Sequence, residues 1–110
     1  MHWAFNLSRG EEIKGKWDLI PADTDVLITH GPPHGFLDLV PCDRAEAYEN
    51  TGCEELLLAV VRVRPRLHVF GHIHEGYGVA RESGITFVNA CVCDASYRPV
   101  NQAVVIADVI

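Results

Sequence analysis

Nothing in this 110-residue sequence stays apolar for long: its longest run, Leu56–Val61, is far too short to cross a bilayer. No basic start followed by a long apolar stretch opens the chain, so no signal peptide is expected and a cytoplasmic setting follows. The sequon at Asn6–Ser8 is then inert. Positive charge is sparse and scattered, and the net charge is -6. That excludes a nucleic-acid groove or a docking face for anionic membranes, both of which need clustered Lys and Arg. An anionic substrate would have to be drawn in locally, for instance by a metal ion. Cys-x-x-Cys is also missing among Cys42, Cys53, Cys91 and Cys93, so no zinc knuckle is written here. Extended backbone would put Cys91 and Cys93 on one side, as a soft metal prefers, but buried reduced thiols are the expected state. No Gly-x-Ser-x-Gly accompanies the histidines and acids, which leaves a hydrolase triad without its nucleophile. Internal repeats and low-complexity tracts are absent.

What is present is globular: 48% hydrophobic and 22% charged residues, enough for one domain with a modest core. Asp25–Thr29, DVLIT, reads as a short buried strand that empties into HGPPHG, where no helix or ladder can continue. Residues 36–50 read as a surface connection, with a helical turn near RAEAYEN. TGCEELLLAVVRVRP is the clearest helix: Thr51 and Glu54 have capping-box spacing, Leu56, Val60 and Val63 share a face with Leu57 and Val61 beside it, and Pro65 stops it. RLHVFG is the next strand, so strand, loop, helix and strand predict a parallel crossover. GYGVARE and GITFVNA predict a hairpin turning at Ser83–Gly84, and AVVIADV a last strand. The predicted architecture is α/β with a mixed sheet.

Parallel strands end on the same sheet edge, where open α/β sheets hold ligands. His30 follows the first strand, and His72 and His74, in VFGHIHEGYG, follow the second. In extended backbone His72 and His74 would share a face. Gly71 and Gly76 would let the chain bend and a ligand approach. Three neutral imidazoles converging there suit Zn, Mn or Fe. His34, just after two prolines, is a candidate contact for substrate phosphate. His2 and His68 are expected to be surface or hydrogen-bonded residues.

At these residues the chain resembles the calcineurin-like metallophosphoesterase superfamily. VLITHGPP is similar to its late histidine motif and VFGHIHEGYG to its closing Gly-His-x-His motif. ITFVNA is similar to the strand that ends in the family's Asn-Pro-Gly-Ser turn, with NACVCDASY in place of that turn. A closer resemblance, through WAFNL, LIPADTDVLITHGPP, GCEELL, RPRLHVFGHIHEGYG and NACVC, is to the brain-type metallophosphoesterase domain-containing branch, and it covers nearly the whole chain. It implies a β sandwich flanked by helices with two metal ions (Mn, Fe or Zn) at the strand ends. It also implies hydrolysis of phosphate mono- or diesters, nucleotides among them. Carried over, His30 and His72 would bind one metal and His74 the other, with no catalytic residue beyond the ligands.

The family's earlier motifs, Asp-x-His, Gly-Asp-x-x-Asp and Gly-Asn-His, are absent, and Asp23, Asp25, Asp38 and Asp43 do not stand in their context. Residues 1–110 therefore read as the carboxyl-terminal portion of one metallophosphoesterase domain, a truncated product or an excerpt. Such a chain should hold at most one ion, through three histidines and a water. Missing strands would leave a sheet edge and an apolar face open to self-association. Two functions follow: the metal-binding half of a phosphoric ester hydrolase, active in a full-length context, or a catalytically inactive domain that binds a metal or a nucleotide.

Overall fold

A computed structural model describes residues 9–41 and 47–107. The β-branched run Val26–Ile28 forms strand β1, and Leu67–Phe70 forms β4, which pairs with β1 in parallel. Between them lie β2 (Leu39–Pro41), β3 (Tyr48–Asn50) and helix α2 (Glu54–Val63). A hairpin of β5 (Gly78–Glu82) and β6 (Ile85–Asn89) completes a four-stranded sheet of order β1-β4-β6-β5. β6 runs parallel to β4 and antiparallel to β5, so the sheet is mixed, as the sequence predicts. The architecture is α/β and compatible with part of a phosphoesterase fold. The hairpin turns at Ser83 and Gly84, whose φ of 53° and 80° suit the two-residue turn that matches strand twist.

One face of the sheet carries Leu27, Phe70, Ile85 and Phe87, and Leu56 and Val60 of α2 close over it. Phe36 stacks on Phe87 at 4.1 Å. A short helix, α1 (Glu11–Trp17), lies against α2, with Trp17 packed on this core. Arg62 of α2 pins its end by donating to Trp17 O (3.3 Å) and Ile20 O (3.1 Å). With Gly15 inside it and no buried residue, α1 gave no periodic signal; Trp17 is its anchor.

Four sequence expectations give way. Thr51 does not cap α2: the cap is Cys53, without a side-chain bond, because Thr51 Oγ1 donates instead to Asp38 O (3.0 Å). Val61 is exposed rather than core. Residues 44–46 of the predicted helical turn lie outside the described residues, and Tyr48–Asn50 is a strand paired antiparallel with β2, so residues 36–50 are not a plain surface loop. Residues 103–107 of the predicted last strand have no regular structure, their partner being no strand among the described residues, and 108–110 lie outside them. No helix of the described residues is long and apolar enough to cross a membrane.

Candidate metal centre

The parallel pairing of β1 with β4 continues past the strand ends. Thr29 N donates to Val69 O (3.0 Å) and Gly71 N to His30 O (2.9 Å), which brings the two histidine-bearing loops side by side. The rings of His30 and His72 stand 4.6 Å apart between centroids. Burial, then the neighbouring His30 and His74, hold His72 below its ordinary basicity, so its ring stays neutral with a lone pair for a cation.

His72 and His74 do not share a face of extended backbone. Ile73 N donates to Gly71 O (2.8 Å) around His72, whose φ is 69°, the geometry of the rarer, strained γ-turn. His74 then opens a 3-10 turn, His74–Gly76. Such strain persists only where surrounding contacts enforce it, and it concentrates at functional sites. His74 Nδ1 lies 2.7 Å from Asp94 O. A carbonyl only accepts, so Nδ1 carries a proton, and Nε2 is the nitrogen turned away from that bond. Tyr97 meets the same ring edge-on at 4.9 Å. A ring nitrogen tied to a backbone carbonyl is the usual way a metal-binding histidine is oriented.

The histidines are drawn together unequally. Among the described residues, no three His, Cys, Asp or Glu side chains form a ready-made metal cluster. His30 and His72 make a close pair, with His74 near enough to depress His72. His34 is half-buried; its backbone N–H donates to Cys53 O (3.1 Å), and it is not among the residues lining the cavity beside His30 and His72. His2 and Cys42 lie outside the described residues. Cys91 and Cys93 are half-buried free thiols, and Cys91 Sγ donates to Cys93 O (3.7 Å). Two imidazoles side by side and a third oriented through its far nitrogen fit a divalent cation by their chemistry.

Two side chains that motif reading passed over, and one that it expected at the surface or hydrogen-bonded, hold these loops. Asn89, fully buried at the end of β6, donates through Nδ2 to Ile73 O (2.8 Å) and Leu37 O (3.1 Å) and accepts from Cys91 N (3.1 Å). At Gly76 a Cβ would collide with the Leu37 carbonyl and the Asn89 amide, so glycine there serves close approach. Asp38, also fully buried, takes hydrogen bonds from Gly35 N (2.9 Å), Gly52 N (2.8 Å) and Asn50 Nδ2 (2.7 Å). The available signal was a lone polar residue inside an apolar run, FLDLV for Asp38 and TFVNA for Asn89.

His68 is the third. Thr29 Oγ1 donates to Gly31 O (2.7 Å), so its contact with His68 Nε2 (2.9 Å) makes Nε2 the donor. Nδ1 is left buried without a partner. Burial lowers the pKa of His68 from 6.5 to about 4. The unfolded ring therefore binds a proton that the folded one refuses. Its contribution to stability is complete above pH 6.5, falls as the pH drops, and levels off below about 4. Urea denaturation across that window should show a loss approaching about 1.4 kcal/mol per pH unit. His68→Leu should flatten this acid limb; an unchanged slope would assign it to other groups.

Comparison with known proteins shows what the chain is similar to. No family model matches the chain. It is 57% identical to metallophosphoesterase domain-containing protein 1 of Homo sapiens over 105 residues, covering 94% of this chain, and equally so to the protein of that name from Mus musculus. A UPF0046 protein of Caenorhabditis elegans is 48% identical over 105 residues. The chain spans 31% of the length of the human and mouse proteins and 25% of the worm protein. It is thus a relative of the metallophosphoesterase domain-containing proteins, aligned with their carboxyl-terminal part.

Proposed function

We propose that this chain carries the imidazole side of a metal centre that hydrolyses phosphate mono- or diesters, in the manner of a phosphodiesterase, within a single metallophosphoesterase domain. The observation that carries the reading is the 4.6 Å approach of His30 and His72, which come from separate loops at one sheet edge. In it His30 and His72 hold one cation and His74, through Nε2, supports the second position. A bound divalent cation, manganese, iron or zinc, would polarise the phosphoryl oxygen and acidify a water. The chain's own residues present neutral nitrogens, keep Gly31 and Gly71 open beside them, and fix the loop through Asn89. His34 stands in the loop after His30 for contact with the phosphate. A cytoplasmic setting fits free thiols at Cys53, Cys91 and Cys93. Val26 and Ile28, exposed on edge strand β1, support pairing with further strands or with a second copy.

A second reading, a metal- or nucleotide-binding domain without turnover, is favoured for the chain alone. No carboxylate joins the histidines in a cluster among the described residues. Titration calorimetry with zinc and with manganese tests both. His30→Ala, His72→Ala and His74→Ala should each weaken binding about tenfold or more, the scale of losing a ligand or its orientation, while His2→Ala should not. The 110-residue chain should hydrolyse a generic aryl phosphodiester very slowly or not at all. Turnover at ordinary enzyme rates that vanishes in His72→Ala would overturn the second reading, and unaltered metal affinity in all three variants would overturn the first.

A further inference from the structure

Beside the paired histidines lies a cavity of about 420 Å³, the size of a small-molecule site. Helix α1 lines it with Ile13 and Trp17, α2 with Leu56 and its cap Cys53, and the two loops with His30 and His72. Trp17 is fixed there: its Nε1 donates to Cys53 Sγ at 3.4 Å. Away from the paired histidines, the polar side chains of the lining already have partners. Arg9 donates to Thr51 O (2.8 Å) and Gly52 O (3.1 Å), and Thr51 Oγ1 donates to Asp38 O (3.0 Å). A hydroxyl-rich group placed against Ile13, Trp17 and Leu56 would lose its water and find few partners, which is costly. A flat apolar ring would exchange water for the indole and the aliphatic side chains.

We infer that this site takes phosphate esters whose organic group is apolar and aromatic, with Trp17 and Ile13 as specificity-determining residues. The inference rests on the phosphate-ester reading above, and it names the part of the substrate that the metal does not touch. Sugar and polyol phosphates are disfavoured by the same wall.

Phenylphosphonate, methylphosphonate and glycerol 1-phosphate, which share a phosphoryl group and differ beyond it, test this on the 110-residue chain carrying Trp3→Phe, with and without zinc. Two readouts report the cavity: Trp17 emission, and the rate at which iodoacetamide alkylates Cys53, followed on the Cys53 peptide. Phenylphosphonate should bind about tenfold more tightly than either of the others, the scale of burying a phenyl ring in a half-open cavity, and should slow Cys53 alkylation. Ile13→Asn should remove the preference. Trp17→Phe, followed by Cys53 shielding, should keep it. Equal affinity for the three compounds, or no binding of phenylphosphonate under either condition, overturns the inference. A phenyl preference that persists without any effect of zinc sustains it while refuting the metal reading. Zinc-dependent binding without a phenyl preference does the reverse.

Discussion

Asn89→Asp should cost about 2–6 kcal/mol, the sum of two buried carbonyls losing partners at roughly 1–3 kcal/mol each. The native amide answers two carbonyls, Ile73 O and Leu37 O, with its two N–H donors, and gives its oxygen to Cys91 N. A carboxylate keeps only the last of these. It would turn oxygen toward two oxygens in a place with no exposure to water. Urea denaturation reads the loss directly. Because the Ile73 carbonyl belongs to the loop between His72 and His74, zinc affinity should fall with stability wherever the chain stays folded. A loss under about 1 kcal/mol would mean that water reaches those carbonyls and that Asn89 is not the clamp.

The two histidine motifs and the larger sheet share one cause of legibility. β1, α2, β4 and the hairpin are local: apolar runs with a helical or alternating period, ended by Pro65 or by Ser83–Gly84. Once β1 and β4 are parallel, the meeting of His30 with His72 follows from topology alone, and the 4.6 Å ring separation fits it. What sequence could not give is whatever long-range contacts decide. The i, i+2 spacing of His72 and His74 suggests a shared face only if the backbone is extended. Here the γ-turn at His72 and the Asp94 carbonyl set the two rings instead. Likewise Thr51 has the composition of a cap but spends its hydroxyl on Asp38. Helix α1 forms although Gly15 interrupts it, since Arg62 holds its end and its own Trp17 ring packs on the core. The cavity exists only because of that docking, so its wall was invisible to motif reading. Similarity to longer relatives shows what this chain aligns with, over 31% of the length of the human protein.

Asp38→Ala is expected to destabilise by about 4.5 kcal/mol or more, since it strips three donors of a fully buried acceptor, and hydrogen bonds to such a group are worth roughly 1.5–3 kcal/mol each. Two of those donors, Gly35 N and Gly52 N, belong to different segments. Asp38 is therefore the tie between the loop that follows His30 and the start of α2. The tie is reinforced by His34 N donating to Cys53 O (3.1 Å) and Cys53 N to Pro32 O (3.0 Å). Asp38→Asn separates the role of the acceptor from simple filling of space. Its one oxygen can serve both backbone N–H groups, because both point at the same oxygen in the native chain. Its new amide would then face Asn50, whose side chain can flip to present oxygen in place of nitrogen. The asparagine variant should therefore lose no more than about half of what the alanine variant loses. Zinc affinity should follow the same order, because a loosened 30–38 loop no longer holds His30 against His72. Equal losses in the two variants would show that the packing of the side chain, and not its hydrogen bonds, holds the loop.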